Sequence, residues 1–433
     1  MSSHSKSAAI IGLDSTMAFN HAALMFGHGH HHQPHTQTKR RVSRKSAAAA
    51  AAAAAEPIDM TPPEERLTSF SVRAVEAEDQ HDFEAAVTAR MHCLALAQLC
   101  FGKGHPEVTL AMARLGRAYL RRGLYAQAEM HSHTVLERLA SIDHPDAAAL
   151  RFTGLATLAQ ALIGLRQFTK ADPILGQARE LLGYAASVTH RVDLMIAMAA
   201  EHTHKRFHGD AVETLEQAMK EKLLDVSSTH PDMLIIFLQL GRAYLKLAAA
   251  GPPVADTADV KPDQTTVQKA IDVLTKAVAV GVANNFVYKQ EMGDALFYLG
   301  MALAESGTST AAIENFERSL KVFRQLHGKW SAPVARTLRQ IAFLFVRQRN
   351  ASGALQYLSL VVKAESRLHG PNSNQVADLL KTRGDVLVVA GRPEDAVQNF
   401  SDAAAIYETL FGTDCAQAGE CRDRIARAQD QLD

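Results

Sequence analysis

The sequence predicts an all-α protein, a right-handed α-solenoid of about eight helix pairs that ends in a C-terminal capping helix. Three observations predict this fold class: alanine recurs with a fixed period, apolar residues around each alanine have helical spacing, and a glycine-containing loop recurs with the same period. Successive alanines are separated by 42, 43, 40, 59, 42, 42 and 42 residues. These alanines are Ala86, Ala128, Ala171, Ala211, Ala270, Ala312, Ala354 and Ala396.

Composition narrows the functional class. Lysine plus arginine and aspartate plus glutamate number 46 each among the 433 residues, so no net positive field attracts the chain to nucleic acid. The four cysteines follow neither a disulfide framework nor a zinc-site spacing, and we expect them to be reduced. No uninterrupted apolar run reaches the roughly 18 residues that indicate a membrane span, so we expect none.

The first 56 residues have a different composition from the rest, and we expect a disordered leader over 1–56. This segment contains a histidine tract at 28–32, a basic run at 39–45 and nine consecutive alanines at 47–55. Biased composition of this kind rarely builds a packed core. The histidines could bind a transition metal, and the basic run could be a nuclear signal, a lipid-binding patch or a phosphorylation site at Ser43. No metal site is predicted, because a loose histidine run lacks a fixed ligand geometry.

The second unit shows how each period forms two helices. A first helix is predicted over about 107–122, and Gly123 then permits a tight left-handed turn. A second helix is predicted to start near Tyr125. Because small side chains let helices approach closely, we expect the two helices to cross at Gly116 and Ala128.

The solenoid is predicted to occupy 57–412, with one interruption of the period. The long interval between Ala211 and Ala270 contains a segment rich in proline, glycine and aspartate at 249–265, which reads as a loop inserted between the helices of the fifth unit. Either a bend in the array or a tolerated surface insertion would explain it. The polar segment 413–433 is predicted to form the capping helix, which solenoids need for solubility.

The residues that recur at equivalent positions of each unit, which we call columns, resemble the tetratricopeptide repeat. Its first helix has a large residue, then glycine or alanine, then a large residue three positions later, and its second helix has alanine followed by a large residue four positions later. The usual period is about 34 residues, whereas Gly328, Gly370 and Gly412 of the recurring loop are 42 apart. The longer period and this loop are similar to the kinesin-light-chain type of array.

A closer resemblance covers 62–432. The segments 62–67, 81–87, 93–102 and 400–412 resemble the tetratricopeptide repeat protein 23 family. The resemblance implies a non-enzymatic cytoplasmic scaffold at the ciliary base, a positive factor in Hedgehog signalling, with an IQ-motif protein and Ellis–van Creveld complex members as partners. A kinesin-light-chain-like cargo or motor adaptor and a general tetratricopeptide assembly factor are the alternatives.

No catalytic motif is present, and we expect neither an enzyme nor a bound cofactor. The sequence has no phosphate loop, dinucleotide fingerprint, zinc-protease motif or nucleophile elbow. His105, His144 and His230 each precede a proline near the start of a unit. A proline fits the first turn of a helix, so we interpret this dipeptide as a helix-entry device rather than a catalytic site.

The candidate binding surface is the inner face of the first helices, where tetratricopeptide arrays usually bind peptides. By register, this face should present basic side chains beside exposed apolar ones, which suits an acidic, partly hydrophobic peptide. A purely solvating role for the arginines is the alternative. The candidate groove residues are Arg117, Arg121, Arg242, Phe297, Met301, Arg336, Arg339, Phe343, Lys381 and Asp385.

Overall fold

The computed structural model describes residues 61–140, 145–185, 187–250, 263–286 and 289–431. These residues form seventeen α-helices and one short 3-10 turn, and none of the described residues lies in a strand. The leader predicted over 1–56 and residues 251–262 of the predicted insertion lie outside the described residues. The ends of that insertion are helical rather than looped, because one helix runs to Ala250 and the next begins at Gln264.

Eight helix pairs and a final helix follow one another, as the sequence predicts. Each helix packs against the next one along the chain. We call the odd-numbered helix of each pair the first helix and the even-numbered one the second helix. The pairs are α1 Pro63–Asp79 and α2 Phe83–Phe101, α3 Pro106–Arg121 and α4 Tyr125–Leu139, α5 Pro145–Gly164 and α6 Phe168–Glu180, α7 Val188–His204 and α8 His208–Leu223, α9 Met233–Ala250 and α10 Gln264–Ala283, α11 Gln290–Glu305 and α12 Ser309–His327, α13 Ala332–Arg347 and α14 Ala351–His369, and α15 Asn374–Val389 and α16 Pro393–Phe411; α17 is Ala416–Gln429.

The recurring alanines form the buried seam of the array. All eight have an exposed fraction of 0%. In three units, close packing at the seam also requires glycine on the facing first helix: a Cβ added to Gly300 would lie 2.8 Å from the Phe316 ring. Phe316 follows the seam alanine Ala312 by four residues. This contact explains why the small residue of the first helix and the large residue of the second helix recur together. The same relation joins Gly241 to Leu274 and Gly384 to Phe400.

The second unit follows its sequence prediction closely. The first helix ends at Arg121, Gly123 adopts a left-handed conformation with φ of +81°, and the second helix begins at Tyr125. A Cβ added to Gly116 would lie 3.9 Å from the carbonyl oxygen of Ala128. The two helices therefore approach each other at these small residues.

The turn within each pair uses a left-handed residue, and in several units that residue is not glycine. This was not predicted from the sequence, where only glycine was assigned to such a turn. Left-handed backbone costs an L-residue roughly 1–2 kcal/mol, so these turns hold local strain that the packed helices sustain. The positions are His81, Gly123, Arg166, Arg206, Gly307, Arg349 and Gly391, with φ between +56° and +87°.

The first helices lie on the inside of the curve. Consecutive first helices pack closely from α3 to α11 in the described part of the chain, and less closely from α11 to α15. Side chains also join units that are not neighbours: Arg117 and Arg121 on α3 reach Asp193 on α7. The N-terminal half is therefore tightly curled, and the inner surface opens toward the C-terminal half.

Two helices, α5 and α9, contain windows long and apolar enough to cross a membrane by length and composition alone. The windows are Ala147–Gly164 and Met233–Ala250, and 56% of each is buried within the fold. Core helices of a solenoid have the same length and composition.

Candidate protein-interaction surface

The ten residues predicted for the groove all lie on first helices, but they do not form one continuous surface. Their surroundings divide them into a paired N-terminal set, an open central set and a C-terminal set that contacts the last helix. They are Arg117 and Arg121 on α3, Arg242 on α9, Phe297 and Met301 on α11, Arg336, Arg339 and Phe343 on α13, and Lys381 and Asp385 on α15.

The N-terminal arginines are paired within the chain. Arg117 and Arg121 donate to the Asp193 carboxylate at 3.2 and 3.0 Å. The Asp193 charge raises the pKa of Arg121, although burial acts in the opposite direction. Nη1 of Arg117 also lies 2.8 Å from Nε2 of His190. Burial, and next the Arg117 charge, lower the pKa of His190 to about 4, so a neutral His190 accepts this hydrogen bond.

A second group of charges fills the space behind these arginines. Nζ of Lys222 lies 2.9 Å from Oδ2 of Asp232, and Nε2 of His81 lies 3.6 Å from Oδ1. Burial alone would raise the pKa of the Asp232 carboxyl, but hydrogen bonds from His81 and Lys222 hold it well below its usual range. The cavity between Arg121, Lys222 and Asp232 is only about 20 Å³, room for about one water molecule. This part of the inner surface therefore cannot admit a peptide.

The inner surface opens between α9 and α13. Arg242, Asp294, Tyr298 and Arg336 surround a space of about 380 Å³, which we call the inner depression. The Arg242 guanidinium lies 4.9 Å from the centre of the Tyr298 ring. Arg336 donates to Asp294 at 3.1 Å and lies 4.1 Å above the Phe297 ring. Two predicted arginines are thus brought together, each held against an aromatic ring.

Two residues of the inner depression, Asp294 and Tyr298, were missed by the sequence reasoning. The repeat itself carries a signal for one of them, since Asp294 precedes its partner Arg336 by 42 residues, one period. Tyr298 follows Phe297, which was expected to be exposed and is only 4% exposed. The helix turns Phe297 toward Phe316 of α12 and leaves Tyr298 beside Arg242.

The remaining predicted residues contribute less to an open surface. Arg339 forms an ion pair with Glu365 of α14. Lys381 and Asp385 pair with Glu420 and Arg424 of α17, at 3.2 and 3.0 Å. These three charges therefore hold the C-terminal helices together. Only two apolar candidates have free surface: Phe343 is 39% exposed, and Met301 is half-buried.

The histidines that precede proline have the structural role that the sequence suggests. Nδ1 of His105 accepts a hydrogen bond from the backbone N–H of Glu107, and Nδ1 of His230 accepts one from Asp232, both at 3.2 Å. Each ring thus satisfies a backbone donor at the entrance to a first helix. His144 lies outside the described residues. Within the described ranges, no three His, Cys, Asp or Glu side chains are placed to hold a metal ion.

Comparison with known proteins agrees with this architecture. No family model matches the chain. Over 385 residues it is 23% identical to tetratricopeptide repeat protein 23 of Bos taurus, and the aligned region covers 77% of this chain and 84% of the relative. Over 390 residues it is 22% identical to tetratricopeptide repeat protein 23 of Homo sapiens, covering 77% and 85%. The chain is similar to tetratricopeptide repeat protein 23 along most of its length.

The resemblance inferred from the sequence is thereby confirmed, and solved structures support the fold. A Rap protein complexed with Competence and Sporulation Factor superposes with a TM-score of 0.52 at 11% identity, covering 86% of this chain and 99% of that one. At this identity the similarity shows the solenoid fold alone. With tetratricopeptide repeat protein 23 the chain shares sequence as well, over both halves of the array.

Proposed function

We propose that this tetratricopeptide protein is a non-enzymatic scaffold that binds an acidic, partly apolar segment of a partner protein at the inner depression. One observation supports the proposal above the others: Arg242 and Arg336 converge on the same open space, each stacked on an aromatic ring. Stacking fixes a guanidinium in place, so less side-chain freedom is lost when it binds a carboxylate.

The charges of the inner depression suit an acidic peptide. Asp294 neutralises Arg336 in part, whereas Arg242 donates to the neutral Gln239 and has no carboxylate partner in the described part of the chain. One net positive charge therefore faces the opening. Tyr298 supplies an apolar surface beside that charge, and a guanidinium can bind a carboxylate through two parallel hydrogen bonds.

For the cellular role, the similarity to tetratricopeptide repeat protein 23 supports a cytoplasmic scaffold at the cilium or ciliary base. We propose that it favours Hedgehog signalling where that pathway exists, with an IQ-motif protein and Ellis–van Creveld complex members as partners. A kinesin-light-chain-like adaptor or a general assembly factor would instead bind motor or chaperone subunits.

Proximity labelling by the full chain in a ciliated cell tests the role. Enrichment of ciliary-base proteins is the expected result, and enrichment of motor or chaperone subunits without ciliary proteins would contradict it. The site is tested in the same experiment with the variant pair Arg242→Glu and Arg336→Gln, which should reduce the labelling of direct partners. The matched control is Arg179→Glu with Arg427→Gln, two exposed arginines on α6 and α17. Equal labelling by both pairs would place the interface elsewhere.

A further inference from the structure

A second open pocket lies on the side of the array formed by the second helices. It has a volume of about 560 Å³ and lies between the loop that precedes α13 and the C-terminal half of α14. The loop contributes Lys329 and Trp330, and α14 contributes Leu360, Lys363 and Arg367. We call it the Trp330 pocket. None of the ten residues predicted for the groove contributes to it.

Trp330 is the only tryptophan in the chain, and the repeat does not require it. The same position, two residues after the loop glycine, is occupied by Gly104, Asn372 and Asp414 in the other copies of the loop. The Trp330 ring is half-buried, with the Lys329 ammonium 4.9 Å and the Arg367 guanidinium 5.0 Å from its centre. The two cations are therefore held in place by the ring.

The cations of the pocket lack acidic partners. Lys329, Lys363 and Arg367 form no ion pair with a carboxylate of the described residues, unlike most arginines on the inner surface. The acid on the same turn of α14, Glu365, is buried and pairs with Arg339 on the other side of the helix. Three positive charges thus surround an opening whose wall includes the apolar side chains of Leu360 and Val362.

We propose that the Trp330 pocket is a second docking site, for an acidic peptide segment that carries an aliphatic side chain. The aliphatic group would lie against Trp330 and Leu360, and flanking carboxylates would pair with Lys363 and Arg367. A peptide fits better than a nucleic acid, because single-strand binding uses successive aromatic platforms and this pocket has one ring. The site goes beyond the proposed function, since an array with two separate sites can hold two partner segments at once.

The single tryptophan makes the site directly observable. Tryptophan emission of the full chain is titrated with a short synthetic peptide of glutamate and leucine that contains no aromatic residue. A saturable emission change that weakens with added salt is expected, because exposed charge pairs are screened. A lysine-and-leucine peptide should give no saturable change. The absence of a saturable response to the acidic peptide would overturn the proposal.

Variants separate this pocket from general surface charge. Lys363→Glu with Arg367→Glu should weaken binding of the acidic peptide at least about tenfold, measured by the same Trp330 emission titration, which does not report binding at the inner depression. The control, Lys269→Glu with Lys276→Glu, makes the same charge change at two exposed positions of α10 and should leave affinity unchanged. Circular dichroism verifies that both variants keep their helicity. Equal weakening by the two pairs would contradict a specific site.

Two further outcomes separate the alternatives. The variant Arg242→Glu with Arg336→Gln should leave the emission titration unchanged, because it alters the inner depression and not the Trp330 pocket. The failure of one site is therefore distinguishable from the failure of the other. The pocket could instead respond saturably to a single-stranded oligonucleotide and not to the acidic peptide. That result would indicate a nucleic-acid ligand and overturn the proposal.

Discussion

At the scale of single residues, the same side chain on the same inner face serves two purposes. Arg117 on α3 and Arg336 on α13 both point inward from first helices. Arg117 is bound to Asp193 inside the tightly curled half, whereas Arg336 lies at the edge of the inner depression. Arginine on the inner face is therefore a binding candidate only where neighbouring first helices leave room. Substitution of Arg117 tests folding rather than partner binding.

His190 is expected to make the stability of the solenoid depend on pH. Its pKa is lowered to about 4 in the folded chain by burial and then by Arg117, whereas an unfolded chain titrates near 6.5. As the pH falls through this range, the unfolded chain binds the proton first and the folded state loses stability. Because the ring is partly exposed to solvent, we expect His190 to contribute a loss of about 1–2 kcal/mol at pH 4.

Urea denaturation of the wild type and of His190→Gln between pH 7 and pH 4 measures this contribution. Glutamine can still accept a hydrogen bond from Arg117 but does not titrate, so the variant should lose less stability on acidification. His133→Gln, at an exposed position on α4, should keep the wild-type profile. Parallel profiles for wild type and His190→Gln would show that this histidine does not titrate differently on folding.

The sequence predicted which residues face inward but not which of them are free. Helical periodicity places Arg117, Arg121 and Arg336 on the same inner face of the first helices, because it depends on local spacing alone. Asp193 is 76 residues from Arg117 and 72 from Arg121. That pairing depends on the curvature of the array, which sums small rotations between units and has no local signal in the sequence. The burial of Phe297 was also missed. Phe297 and Tyr298 are adjacent on the helix, and local spacing alone did not show which of the two rings is buried.

At the scale of the helix pair, the left-handed geometry of the turn is common to the units, whereas the residue that adopts it differs between them. Every pair whose turn lies within the described residues has a left-handed residue there, and that residue is histidine, arginine or glycine. Packing of the two helices at the alanine seam therefore determines the backbone of the turn. Glycine in units two, six and eight was predictable from its conformational freedom, whereas arginine at the same position was not.

Arg349→Gly is expected to stabilise the protein. Arg349 has φ of +56° and an exposed side chain, so glycine relieves strain without removing a buried contact. Against the roughly 1–2 kcal/mol cost of left-handed backbone, the greater freedom of glycine in the unfolded chain leaves a net gain of about 0.5 kcal/mol. Equilibrium urea denaturation measures the difference.

The reverse change provides the control for this prediction. Gly391 occupies the same turn position in the eighth unit, with φ of +70° and no atom within 4 Å of an added Cβ. Gly391→Ala should therefore destabilise through the backbone alone, by about 1 kcal/mol. A loss of stability in Arg349→Gly would mean that the arginine side chain contributes more than its backbone costs.

At the scale of the whole array, the N-terminal units do not behave as a simple row. In an ideal solenoid each unit contacts only its neighbours. Here the turn of the first unit reaches the entrances of the fifth and sixth, because Nζ of Lys289 donates to the carbonyl oxygen of His81 at 3.1 Å and His81 pairs with Asp232. These contacts couple segments about 150 and 208 residues apart. We expect units one to six to unfold more cooperatively than the last two.

Lys289→Ala should loosen the turn of the first unit from a distance. Loss of one partly buried hydrogen bond is worth about 1 kcal/mol, which corresponds to a roughly fivefold faster amide hydrogen exchange in the turn at 80–83. Hydrogen exchange followed by mass spectrometry measures this rate. Lys276→Ala, at an exposed position on α10, is the matched control and should leave the turn unchanged. Unaltered exchange in Lys289→Ala would show that the first unit is held by its neighbour alone.

The ion pairs that join consecutive units in the C-terminal half have a consequence for how such an array can change over evolutionary time. Arg336 of the seventh unit forms an ion pair with Asp294 of the sixth, and Arg424 of the last helix forms one with Asp385 of the eighth. Excision of the sixth unit would remove the carboxylate that pairs with Arg336, and excision of the eighth would remove the one that pairs with Arg424. The charges therefore favour the present order of these units over one in which a unit is excised or replaced by a copy of another.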